Sequence, residues 1–145
     1  MNEAIQESEL FRGVTPRILT EIAKESEEVI FKKGTTIFSK GEVSQDIYEL
    51  IEGSIDLMAT KKEIVHLTVS RSGQIFGWSA LVEPYTRTAT ARCPVDTRAI
   101  RISRDSIEKT IEKHPHEGTA ILKNLMRIIA DRLREAYSYI QLSGV

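Results

Sequence analysis

A chain of 145 residues, 41% hydrophobic and 28% charged, carries enough apolar material for one core of its own. Its net charge of −1 gives no bulk attraction for nucleic acid or an anionic membrane, and a single cysteine, Cys93, excludes an internal disulfide and a cysteine-ligated iron–sulfur cluster. No apolar run approaches the roughly 18 residues of a membrane span, and the acidic, polar start MNEAIQESEL is unlike a secretory leader, so a cytoplasmic protein is expected.

In chain order, residues 1–26 read as a helical lead-in. Pro16 suits the first helical position after Thr15, and Ile18, Leu19, Ile22 and Ala23 make one apolar stripe. Residues 27–102 read as strands: EEVIF, TTIF, DIYELI, SIDLMA, EIVHLTV, RTATARC and TRAIRI, punctuated by Gly34, Gly41, Gly53 and Gly73. Val65, Leu67 and Val69 alternate with His66 and Thr68, the period of a half-buried strand. Many short strands with no helix between them predict an antiparallel sandwich or roll. Residues 103–145 turn helical again. Ser103 is a candidate N-cap for a helix through Lys113, Pro115 breaks it, and a longer helix is expected over 116–141. The whole, 1–145, reads as a single domain.

The last helix bears two apolar stripes. Leu122, Met126, Ile129, Leu133, Ala136 and Ile140 follow a heptad seam, while Ile121, Leu125 and Ile128 run beside it and stop at Arg132. Two readings fit. In one, a stripe covers the strands and the seam pairs with a second copy, giving a homodimer through helix 116–141. In the other, both stripes form one broad intramolecular face.

The stretch GQIFGWSALVEPYTRTATAR, residues 73–92, is the candidate site. Gly77 lets the backbone approach a ligand closely, and the N–H groups of Trp78, Ser79 and Ala80 begin a helical turn that suits an anion. Period-two spacing puts Arg87, Ala89, Ala91 and Cys93 on one strand face. An arginine above small side chains has room to extend into a cavity, where it and the amides would hold an oxyanion such as phosphate. The plainer reading is a surface arginine beside a glycine-rich loop.

FGWSAL at 76–81 and RTAT at 87–90 resemble the phosphate-binding cassette of cyclic nucleotide-binding domains, here spanning 73–91. LFRGVTPRIL resembles that family's helical lead-in, GTTIFSKGEVSQDIYELIEGSIDL its early strands, and the two closing helices its B and C helices. The resemblance implies a mainly β fold: an antiparallel jelly-roll-like β-roll, a cupin-like double-stranded β-helix, with N-terminal helices and two C-terminal helices. It implies a sensor for cyclic AMP, cyclic GMP or another small anionic effector, with no cofactor or metal. Arg87 would pair with the phosphate, and Gly77, Ser79 and Ala80 would approach it through backbone. Phe76, Leu81 and Ala89 would line the roll. Thr88 matches a position whose hydroxyl reaches phosphate or guanine, and RTAT looks like the version in cyclic GMP-dependent kinases. Alternation from Arg87, however, points Thr88 the other way.

Trp78 departs from the pattern, which places a ribose-binding glutamate there. Indole has one donor and accepts no hydrogen bond. Losing a hydrogen bond to a charged group costs roughly 1.5–3 kcal/mol, about 10- to 150-fold in affinity. Three readings follow: weak cyclic nucleotide binding with Trp78 turned aside, a phosphate or carboxylate ligand lacking the ribose, or a degenerate domain in which Trp78 fills the pocket and the heptad helix serves interaction.

His66 has no partner histidine at ligand spacing, His114 and His116 flank Pro115 in a linker, and Cys93 reads as a core residue, so no haem or metal is expected. Asn124 and Arg127 occupy positions from which a bound base could be capped. No catalytic triad or carboxylate pair stands out, so no enzyme is expected. Family transcription factors place a helix-turn-helix after this point; with the sequence ending at Val145, direct DNA binding is not expected.

Overall fold

The computed structural model describes residues 2–59 and 67–142, with side chains described over 4–59 and 67–138. The lead-in forms α1 (Asn2–Gln6) and α2 (Pro16–Lys24). α2 starts at the proline after Thr15 and buries Ile18, Leu19, Ile22 and Ala23, the stripe read from sequence.

The strands form two four-stranded antiparallel sheets. The first runs β1 (Glu27–Phe31), β8 (Thr97–Ser103), β3 (Asp46–Glu52), β6 (Ile75–Phe76). The second runs β2 (Thr36–Phe38), β7 (Thr90–Arg92), β4 (Ile55–Met58), β5 (Leu67–Val69). One core fills the roll between the sheets, from Phe38, Tyr48, Leu50, Ile55, Val69, Phe76, Ala91, Cys93 and Ala99. A second core lies behind the first sheet, where Ile47, Ile75, Ile100 and Ile102 meet the helices. β3 therefore buries both faces: Tyr48 and Leu50 point into the roll, Ile47 and Ile51 toward the helices. That double burial is why DIYELI shows no clean alternation.

The expected fold holds: antiparallel sheets flanked by N-terminal helices and two C-terminal helices. Three local differences matter. RTATARC is a strand only over Thr90–Arg92, because residues 87–89 are irregular. β6, too short for a periodic signal, precedes the cassette turn. Of EIVHLTV only Leu67–Val69 is described; Val65 and His66 lie outside the described residues.

The Ser103 hydroxyl accepts from the Ser106 N–H at 3.1 Å, capping α3 (Arg104–Lys113) as expected. α4 (Pro115–Leu142) begins at the proline itself, so Pro115 and His116 belong to the helix instead of a linker. A first-turn proline loses no hydrogen bond, and its fixed φ suits the helix start. α4 separates its two stripes. Ile121, Leu125 and Ile128 are buried, whereas Leu122, Met126 and Leu133 are 45%, 67% and 50% exposed. Ile129 leans on the helix-side core. The side chain of Ile140 lies outside the described residues. Among the described residues, no helix is long and apolar enough to cross a membrane.

Candidate functional site

β6 delivers the chain into a single 3-10 turn, Trp78–Leu81, at the mouth of the roll. Gly77 begins this turn at φ 81°, in the left-handed region. A Cβ there would stand 2.7 Å from Arg87 Nη1 and 3.4 Å from the Phe38 ring. Glycine is thus required twice, by conformation and by the arginine against its backbone.

Arg87 is 5% exposed and points inward. Nη1 donates to the Gly77 carbonyl at 2.8 Å and Nη2 to the Asp46 carbonyl at 2.7 Å. The guanidinium carbon lies 3.9 Å from the Phe38 ring centroid. Phe38 continues into an aromatic cluster with Tyr48 and Phe76, whose own rings stack at 5.1 Å. Among the described residues, no carboxylate lies within ion-pair distance of Arg87. Burial pushes its pKa below the ordinary arginine value, and Tyr48, Asp46 and Glu42 oppose this only in part. Nη1 also reaches the Ser79 hydroxyl at 3.5 Å. A buried cation held by neutral oxygens is electrostatically expensive and suited to an incoming anion.

A cleft of about 50 Å³ opens beside the turn. Phe76, Gly77, Trp78, Ser79, Thr88 and Ala89 line it, joined by Phe38, Leu57 and Arg132. The irregular residues before β7 let Thr88 face the cleft, against strict alternation from Arg87. Arg87 stands behind the lining, against Gly77. Ala80 is fully buried, and its N–H donates to the Gly77 carbonyl at 3.2 Å, so that amide closes the turn instead of facing a ligand. Leu81 was expected to line the roll; it packs on the helix-side core, because the turn carries it behind the first sheet. Trp78 does both, leaning on that core while forming part of the cleft wall.

Arg132, the group that sequence reading missed, reaches the cleft from α4. Its side chain is 12% exposed. Nη2 donates to the Ile75 carbonyl at 3.0 Å, and its nitrogens lie 3.9 Å from Glu9 and 3.7 Å from Glu135. The signal was present: Arg132 continues the inward spacing of Ile121, Leu125 and Ile128, which marks it as an inward-facing cation. Asn124 and Arg127 are engaged with the lead-in in this structure. The buried Asn124 amide donates to the Leu10 and Arg12 carbonyls, both at 2.8 Å, and Arg127 donates to Asn124 Oδ1 and the Glu9 carbonyl. Both are committed to the lead-in, whose loop carbonyls need donors.

Known proteins share this sequence and fold in part. The chain is 29% identical over 136 residues to the CRP-like cAMP-activated global transcriptional regulator of Mycobacterium tuberculosis, covering 92% of this chain and 59% of that one. It thus spans about three fifths of the length of such curated relatives. A crystal structure from Geobacter metallireducens, of a protein named for cyclic nucleotide binding, has a TM-score of 0.79 at 27% identity, covering 90% of this chain and 96% of that one. The catabolite activator protein of Thermus thermophilus shares the fold, with a TM-score of 0.75 at 24% identity over 94% of this chain and 63% of its own. The family model described as the cyclic nucleotide-binding domain matches residues 28–114. That match runs from β1 to the end of α3 and contains the whole turn around Arg87: the chain belongs to the cyclic nucleotide-binding domain family.

Proposed function

We propose that this chain is a cytoplasmic sensor module, regulatory and not enzymatic, that takes a cyclic nucleotide, cyclic AMP or cyclic GMP, or a similar phosphate-bearing effector. The ligand enters at the Gly77–Leu81 turn, and the module signals through α3 and α4. One observation carries the reading: Arg87 is buried, aimed at the turn, and bonded to neutral oxygens, the Gly77 and Asp46 carbonyls and the Ser79 hydroxyl. A ligand phosphate would supply the missing countercharge in a water-poor setting, where such a pairing is strong. The cyclic AMP named for the Mycobacterium tuberculosis relative supports this choice of effector.

Affinity is modest, because Trp78 offers no acceptor for a ribose hydroxyl. The cleft is also far smaller than the several hundred Å³ of an open ligand site. Binding therefore requires α4 to withdraw Arg132 or Trp78 to turn. That movement is the signal, a shift between closed and occupied states. The exposed seam of α4 supports a homodimer, which would carry the signal to a second copy.

The closed cleft also favours a second reading, a ligand-free interaction domain in which Trp78 and Arg132 fill the site. Trp78 is the only tryptophan, so its fluorescence separates the two. Titration with cyclic AMP and cyclic GMP should shift the emission saturably, and Arg87→Gln should abolish the response. A flat titration of the native chain to millimolar nucleotide leaves the interaction domain standing.

A further inference from the structure

The cleft beside the cassette turn is rich in donors and short of acceptors. Among the described residues that line it there is no Asp or Glu, and its one charged side chain is Arg132. Trp78 stands in the same wall, where its indole can donate and cannot accept. Ser79 and Thr88 add hydroxyls that serve either way. A ribose hydroxyl, which needs an acceptor here, finds no carboxylate.

Two cations border this space from different elements. Arg87 holds the Gly77 carbonyl and Arg132, on α4, holds the Ile75 carbonyl. Ile75 and Gly77 lie at most about 7 Å apart along the chain, so one small ligand can reach both guanidinium groups. The charge of Arg132 is only loosely balanced. Glu9 and Glu135 stand at 3.9 and 3.7 Å, beyond hydrogen-bond reach, and neither lines the cleft. Glu9 Oε1 already accepts from the Ile75 N–H at 2.9 Å, and the Glu135 side chain is 47% exposed. Satisfying the Ile75 carbonyl does not explain the arginine, since a neutral amide would serve there.

We infer that the effector carries two anionic groups: a phosphate for Arg87 and a second acidic group for Arg132 and the Trp78 N–H. On binding, Arg132 exchanges the neutral Ile75 carbonyl for that second group, gaining a charge-assisted bond. Trp78 then belongs to the specificity of the site, because it supplies a donor where the second acceptor lies. The inference deepens the ligand reading above and rests on it.

Titration calorimetry of the full chain tests it with two matched pairs of probes. Cyclic AMP is compared with 2′-O-succinyl cyclic AMP, and ethyl phosphate with phosphoglycolate; within each pair the second member adds a carboxylate. In at least one pair the carboxylate should tighten binding by about tenfold or more. Arg132→Gln, whose amide can still donate to the Ile75 carbonyl, should erase that gain, and Arg87→Gln should abolish binding of both members. No gain in either pair, or a gain that survives Arg132→Gln, overturns the inference. Should Arg132→Gln fail to fold, salt replaces it: the gain in the native chain should shrink severalfold between about 0.02 and 0.5 M, and a gain indifferent to salt overturns the inference. Saturable cyclic AMP binding without a gain defeats this inference alone. Failure of all four probes to bind defeats the ligand reading and this inference with it.

Discussion

Glu49 sits on the helix-facing side of β3, between Ile47 and Ile51, with no exposed surface. Neither carboxylate oxygen makes a hydrogen bond of ordinary geometry among the described residues. Burial pushes its pKa up to about 8; the nearby Ser8 hydroxyl softens the effect, and the Glu7 and Glu9 charges add to it. The folded protein therefore keeps a proton that the unfolded chain releases near its ordinary value of 4.5. Stability from this group is complete below that value, falls as pH rises toward about 8, and levels off above. Glu49→Gln cannot ionise. Its stability relative to the native chain should rise by about 3 kcal/mol between pH 5 and pH 7, read by urea denaturation at both. A difference that ignores pH would mean that Glu49 is solvated or paired. At this scale Arg87 was legible in the sequence, because small residues beside a lone cation leave space for it. Glu49 was not, since a glutamate inside DIYELI looks like the polar member of an alternating strand. Arg132 was legible only to someone who carried the inward stripe one step past its last apolar residue.

α4 shows how one helix serves two surfaces. Ile121, Leu125 and Ile128 anchor it, while Leu122, Met126 and Leu133 remain exposed. Met126→Glu combined with Leu133→Glu should leave the fold intact, since exposed positions away from special contacts usually shift stability by no more than about 0.5 kcal/mol. The same pair should convert a dimer to a monomer in light scattering. A native chain that is monomeric at tens of micromolar would remove the seam from the mechanism. The exposure of Leu122, Met126 and Leu133 was legible because their spacing differs from that of the inward stripe, whereas Ile129 of the same heptad packs on the core. The strand before β7 was misjudged for a related reason: alternation assumes regular backbone, and residues 87–89 are not regular. Thr88 faces the cleft only because that regularity fails. The two-residue β6 and the 3-10 turn behind it were legible through resemblance alone, being too short for any period to show.

For the whole molecule, two cores share the first sheet, one inside the roll and one under the helices. β3 and β8 belong to both, so the two cores are joined through packed side chains of the same strands. A ligand that binds only the folded state stabilises all of it by mass action. At a concentration 100 times its Kd the gain is about 2.7 kcal/mol. For a chain of this size that raises Tm on the order of 8 °C. Calorimetry with cyclic AMP should show such a rise in the native chain and none in Arg87→Gln. Equal rises in both would place the nucleotide elsewhere on the surface.

The lead-in is stapled to α4 at several points: Asn124 holds the Leu10 and Arg12 carbonyls, Arg127 holds the Glu9 carbonyl, and Arg132 stands beside the Glu9 carboxylate. Front and back of the chain therefore rise and fall as one piece. A tether that tugs on the opening residues therefore pulls on the helix that carries Arg132 to the cleft.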